Sequence, residues 1–138
     1  MSSLSRTLAR AIAAVVVVGV AGGLVLQGQQ APAVKRNIVL KEDITGIADR
    51  EGVMAIVELP PGAAEGPHTH FADVYAFVLE GTVSLEVDGK PRATLKAGDV
   101  FHIPAGVVHN GINNGSATAK LAAVFVAEKG KPLTTQVK

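Results

Sequence analysis

From Val53 onward the chain is a succession of short apolar runs, each cut by glycine or proline after roughly eight to twelve residues. That spacing leaves no room for a helix of several turns, and it predicts an all-β sandwich or barrel. The clearest segment is Thr82-Val-Ser-Leu-Glu-Val87. It alternates strictly, so Val83, Leu85 and Val87 are expected to face a core and Thr82, Ser84 and Glu86 to face out. Asp88-Gly89 follows, a dipeptide suited to a tight hairpin because both residues tolerate positive φ. Further strands are predicted over Val53–Leu59, Val74–Leu79, Arg92–Leu95, Val100–Ile103 and Ala119–Ala127. Pro60-Pro61-Gly62, Glu80-Gly81, Lys96–Asp99, Pro104-Ala105-Gly106 and Asn113–Ser116 separate them as turns. Val34–Asp49 reads as an edge strand and a loop, and the tail Gly130–Lys138 either covers a sheet edge or frays.

The chemistry-bearing stretch is Pro67-His68-Thr69-His70-Phe71-Ala72-Asp73, delivered by the loop Ala63–Pro67. In a strand, residues two apart share a face, so His68 and His70 present two imidazoles together and Thr69 points away. His109 stands after a second proline–glycine turn and is expected on the same rim. Three neutral imidazoles make a facial site for a divalent transition metal (Fe, Zn, Mn, Ni or Cu) with open positions. Its affinity should fall as the rings protonate below about pH 6. Asp73 is the nearest carboxylate, either a fourth ligand or a proton acceptor beside the metal. Along an ideal strand it has the wrong parity to share a face with His68 and His70; a bulge at Phe71-Ala72 would correct that. His102 reads as a half-exposed strand histidine or as part of a pocket mouth. Tyr75 and Phe77 read as core, or as walls of a ligand pocket, and Asn110, Asn113 and Asn114 as turn residues.

The N-terminus follows a different pattern. Arg6 and Arg10 precede an uncharged apolar run, Ala11–Leu26, and Ala31-Pro32-Ala33 supplies a small-residue processing site. Residues 1–33 therefore read as an export signal or, uncleaved, as a membrane anchor through residues 11–26. The run is 16 residues, shorter than the roughly 20 that a spanning helix needs. The expected location is periplasmic or extracellular, with residues 34–138 as the folded domain. After removal of the signal, 11 basic and 12 acidic side chains remain, a net charge of −1 with no basic stripe, which argues against a nucleic-acid partner. Cysteine is absent, so neither a disulfide nor a thiolate ligand is available and the core must hold the fold alone.

With these residues in place the chain resembles the cupins, single-domain double-stranded β-helix (jelly-roll) proteins. Their first motif, G-x5-H-x-H-x3,4-E-x6-G, is met by Gly62, His68, His70 and Gly81. Their second, G-x5-P-x-G-x2-H-x3-N, is met in full by Gly98, Pro104, Gly106, His109 and Asn113. The resemblance spans Val53–Val126. It departs at the glutamate of the first motif, whose place falls on Val74 or Tyr75, neither able to bind a metal. The resemblance thus implies a metal held by His68, His70 and His109, with Asp73 adjacent to the missing position. It implies a dioxygenase or isomerase acting on a small organic molecule, or else a non-catalytic module that binds a metal or small ligand. It also implies a homodimer formed through sheet edges.

Overall fold

A computed structural model of the protein describes Gly28 and residues 30–138, so the export or anchor segment expected within residues 1–33 falls largely outside the described residues. Ten strands form two antiparallel sheets. They are β1 (Lys35–Asp43), β2 (Arg50–Leu59), β3 (His68–Thr69), β4 (Ala72–Glu80), β5 (Thr82–Val87), β6 (Ala93–Lys96), β7 (Val100–Ile103), β8 (His109–Ile112), β9 (Ala119–Glu128) and β10 (Thr135–Gln136). One sheet runs β1-β2-β9-β4-β7 and the other β10-β3-β8-β5-β6. Among the described residues no helix is present, as the punctuation required.

Period-two alternation sorts each long strand into an inner and an outer face. Val53, Ala55, Val57 and Leu59 of β2 point inward, as do Ala72, Val74, Ala76 and Val78 of β4. Leu121, Ala123 and Phe125 of β9 close the first sheet, and Val83 and Leu85 of β5 face them from the second. At Gly81 the chain steps from one sheet to the other in a single residue. Gly81 has φ +73°, and a Cβ there would lie 2.9 Å from both Ala119 Cα and the Thr118 carbonyl oxygen, so only glycine fits.

The structure corrects two details and decides a third between its alternatives. Tyr75 and Phe77 are not core and wall no part of the histidine cavity: they are 52% and 43% exposed on the outer face of β4, where both line a shallow hollow. That strand is apolar at every position from Val74 to Leu79, and the inner face takes the small members Ala72 and Ala76, which leaves space inside the barrel. Ser84 lies on the face away from Val83 and Leu85 but is buried, not exposed, because Asn114 covers it and its Nδ2 donates to Ser84 Oγ at 3.1 Å. The tail does not fray: Thr135 and Gln136 pair with Thr69 and His68, covering the edge of β3.

Candidate metal centre

His68 and His70 both point inward, 1% and 7% exposed, as the parity argument required. His109 is brought to them by strand register: β3 and β8 pair antiparallel with His68 directly opposite His109. Side chains directly opposite in such a pair are nearest neighbours across the sheet. The three rings lie 4.2 to 4.9 Å apart between centroids, and one nitrogen from each lies within 4.8 Å of the others.

Each ring is oriented from behind. His68 Nδ1–H donates to the Gly66 carbonyl at 2.8 Å and His109 Nδ1–H to the Val107 carbonyl at 3.0 Å, the same two-residue back-contact in both loops. His70 Nδ1–H donates to the Leu133 carbonyl at 2.7 Å, a residue of the tail. A carbonyl can only accept, so each Nδ1 carries a proton, and in the neutral ring that leaves Nε2 with its lone pair for an ion. Burial lowers the His70 pKa from 6.5 to about 4 and lowers that of His109 as well, which keeps both rings neutral and ready to ligate at neutral pH. Three neutral nitrogens, backed by carbonyls and without an oxygen cage, fit a divalent transition metal and not calcium or magnesium.

The same burial predicts how the metal-free protein responds to acid. His70 is harder to protonate folded than unfolded, so between pH 6.5 and about 4 the unfolded chain binds the proton first. Stability is complete above that window and falls as pH drops through it, and His109 adds in the same direction. Denaturant titrations of chelator-treated protein at pH 7 and pH 4.5 should differ by on the order of 2 kcal/mol, less than the full shift implies because the ring edges open on a cavity. A flat profile would mean that the rings are solvated.

The cavity holds about 160 Å³ and is walled by Val57, Val74, Leu85, Leu121 and Phe125, with the His70 ring edge-on to Phe125 at 5.1 Å. Val74 therefore does point at the site from the position where the cupin motif carries glutamate, and brings a methyl surface in place of a carboxylate.

Asp73 is not brought to the histidines. No bulge intervenes, so β4 parity turns it to the outer face, where its Oδ1 accepts from His102 Nε2 at 2.9 Å. The His102 ring stacks on Tyr75 at 4.6 Å, so this histidine belongs to the outer face and not to the cavity mouth.

Two residues that sequence reading passed over do line the cavity. Glu65, in the loop before His68, is tied to β8 by a hydrogen bond from its own N–H to the Gly111 carbonyl at 2.9 Å. A Cβ on Gly111 would lie 2.7 Å from Glu65 Oε2, so the glycine makes room for that carboxylate. Glu65 Oε1 is held by Arg36 of β1 at 2.9 Å, with the Glu65 side chain only 15% exposed. The available signal was position: Glu65 is the single acid of the loop that delivers His68.

A family model described as "Cupin domain" matches residues 55–125. Germin-like protein subfamily 2 member 1 of Arabidopsis thaliana is 39% identical over 74 residues, covering 50% of this chain and 34% of the relative. The chain spans 34% to 41% of the length of three germin-like relatives that it matches. A recombinant oxalate oxidase solved in complex with glycolate superposes with a TM-score of 0.56 at 25% identity, over 62% of this chain and 45% of that one. An uncharacterised double-stranded β-helix protein from Klebsiella pneumoniae superposes with a TM-score of 0.62 at 20% identity, over 76% and 84% of the two chains, and shows the same fold.

Proposed function

This chain belongs to the cupin family, and from that premise we propose that it is an exported metal-dependent cupin acting on a small oxygen-bearing organic molecule. His68, His70 and His109 would hold a single divalent transition metal, and the ligand would occupy the adjoining cavity. The observation that carries the reading is the convergence of three backbone-oriented imidazoles at an apolar cavity that also holds one carboxylate, Glu65.

Cavity size limits the substrate. A space of about 160 Å³ matches the engineered cavities of about 150 Å³ that take benzene, so a flavonol is too large while a small hydroxy acid, diketone or catechol fits. The relative bound to glycolate supports the same class, a short acid offering two oxygens. When bound, the metal would supply a Lewis acid that polarises a substrate oxygen. Glu65 takes the proton that such polarisation loosens, in the role first expected of Asp73, and Arg36 orients its carboxylate. Proton transfer, as in an isomerase, is thus favoured over oxygen addition. The ion pair with Arg36 favours a second reading, a binding module without turnover, because it already engages the one carboxylate of the cavity.

Protein purified without a histidine tag should carry about one transition metal per chain, and less than about a tenth after reconstitution would overturn the proposal. Small hydroxy acids, diketones and catechols can then be screened by proton NMR in heavy water, with oxygen uptake followed in parallel. Glu65→Gln is expected to slow exchange at the reacting carbon by at least about a hundredfold while leaving metal content intact. Asp73→Asn should change neither. Equal rates for wild type and Glu65→Gln would remove the proton-transfer role, and binding without exchange would establish the module.

A further inference from the structure

The cavity beside the three histidines opens at one end. Of the described residues that line it, only Arg36 and Ile38 are exposed, and both belong to β1. Register explains their placement. Arg36 pairs with Val57 and Ile38 with Ala55, and residues directly opposite in a sheet share a face, so the two β1 side chains turn inward with the buried β2 pair. The interior behind them is methyl and phenyl surface, from Val57, Val74, Leu85, Leu121 and Phe125. Arg36 is the one permanent cation of the described lining, and Glu65 its one carboxylate. The Arg36 side chain is 38% exposed and that of Glu65 15%, so a molecule entering past β1 meets the cation first. The charge of Arg36 reaches the histidines as well: after burial, it is among the causes that lower the His70 pKa.

A guanidinium presents its N–H donors in a planar fork. One nitrogen of Arg36 is engaged, Nη2 with Glu65 Oε1 at 2.9 Å, and among the described residues Arg36 has no second polar partner. A partly exposed pair with a single contact contributes little to stability, so the fold gives no strong reason for an arginine at this position. We propose that Arg36 determines specificity: its uncommitted donors receive the carboxylate of a short hydroxy or keto acid and leave the acid's second oxygen for the metal. The inference rests on the small-molecule reading above and narrows it, from acids, diketones and catechols to acids alone. A carboxylate carried into an apolar cavity needs a partner, and uncompensated it would face Glu65, a like charge. Arg36 supplies that partner in bidentate geometry, which a lysine does not. A neutral diketone or catechol gains nothing from the fork. Because Glu65 draws on the same guanidinium, an incoming acid competes with it. The two partners of the ion pair therefore affect acid binding in opposite directions.

Ligand-observed proton NMR, on zinc-loaded and on chelator-stripped protein, reads the affinity for lactate and for its neutral amide, lactamide. Lactate should bind the wild type more tightly than lactamide in both forms. Arg36→Met should weaken lactate at least about tenfold and leave lactamide within about twofold, the amide showing that the site is intact. Arg36→Lys, which keeps the charge and loses the fork, should fall between wild type and Arg36→Met. Glu65→Gln removes the competing anion and should tighten lactate by at least about threefold. No preference for lactate in the wild type, lactate binding unchanged in Arg36→Met, or equal losses for acid and amide would each overturn the proposal. So would a Glu65→Gln variant that loses lactate as Arg36→Met does, the result a purely structural ion pair predicts. None of these affinities depends on turnover. Metal content and proton exchange test the parent reading, and the acid–amide preference of stripped protein tests this one, so either can fail alone.

Discussion

Replacing His109 with alanine is expected to lower affinity for zinc or manganese by at least about a hundredfold. The expectation follows from geometry. His68 and His109 face each other across a strand pair, and His70 follows two residues after His68. Removing His109 leaves two imidazoles, both on one segment, and no facial set. Truncation before Leu133 provides the graded comparison. It removes the carbonyl that accepts the His70 Nδ1 proton but keeps all three ligands, so the loss should be roughly ten- to a hundredfold. Isothermal titration of tag-free, chelator-stripped protein reads both. If His109→Ala binds metal within about threefold of wild type, the three rings do not act as one site. The fold should survive the change, since metal-free His109 is a buried ring whose neutral form is held against its own protonation, and its removal should relieve part of the acid sensitivity.

How much of this was legible in the sequence depends on what each residue's position rests on. The inward pair His68 and His70 and the inward Val83 and Leu85 follow from period-two geometry alone, and the structure has them so; the turn at Asp88-Gly89 follows from the dipeptide, and there only Gly89 takes positive φ. Asp73 obeys the same rule, and its outward placement could be read from its parity without help from a bulge. The strand β4 could not be read that way. Val-Tyr-Ala-Phe-Val-Leu is apolar on both faces, so periodicity does not say which set is inside. Cavity space decides it, with alanines inside and aromatics out, and that is a property of the closed barrel. The Arg36–Glu65 pair and the Leu133 contact to His70 join segments 29 and 63 residues apart, and no local pattern announces them. The family motif pointed at His109 and Asn113, while the strand register supplies the reason for the first and a buried hydrogen-bond clamp for the second.

That clamp carries the second large expectation. Asn113→Ala should destabilise the domain by about 3 kcal/mol, seen as a fall in the melting temperature of roughly 12–20 °C. Asn113, Asn110 and Asn114 look alike in sequence, all suited to turns, but Asn113 alone is fully buried at 0% exposure. Its Nδ2 donates to the Leu59 carbonyl at 2.7 Å and to the Ala117 carbonyl at 2.8 Å, and its Oδ1 accepts from Gly115 N at 2.8 Å. Its backbone is used as well: Asn113 N–H donates to the Ala63 carbonyl and Gly62 N–H donates to the Asn113 carbonyl, both at 2.9 Å. One side chain thus ties the end of β2 to the turn before β9, beside the loop that carries Glu65 and leads to His68. Truncation takes the partner from the buried Leu59 carbonyl and from the part-buried Ala117 carbonyl and Gly115 N–H, and an unmade buried hydrogen bond costs more than a made one contributes. Asn114→Ala is the control. Its single side-chain bond, to Ser84, sits under an exposed residue, so the loss should stay below about 1 kcal/mol. Asn113→Asp tests the chemistry against the shape. It keeps the volume but turns the two-carbonyl donor into an acceptor and buries a charge, so it should melt lower than Asn113→Ala at pH 7 and recover part of the difference when acid protonates it. Equal melting temperatures for Asn113→Ala and Asn114→Ala would show that the turn holds itself and that the loop delivering the histidines does not depend on this contact.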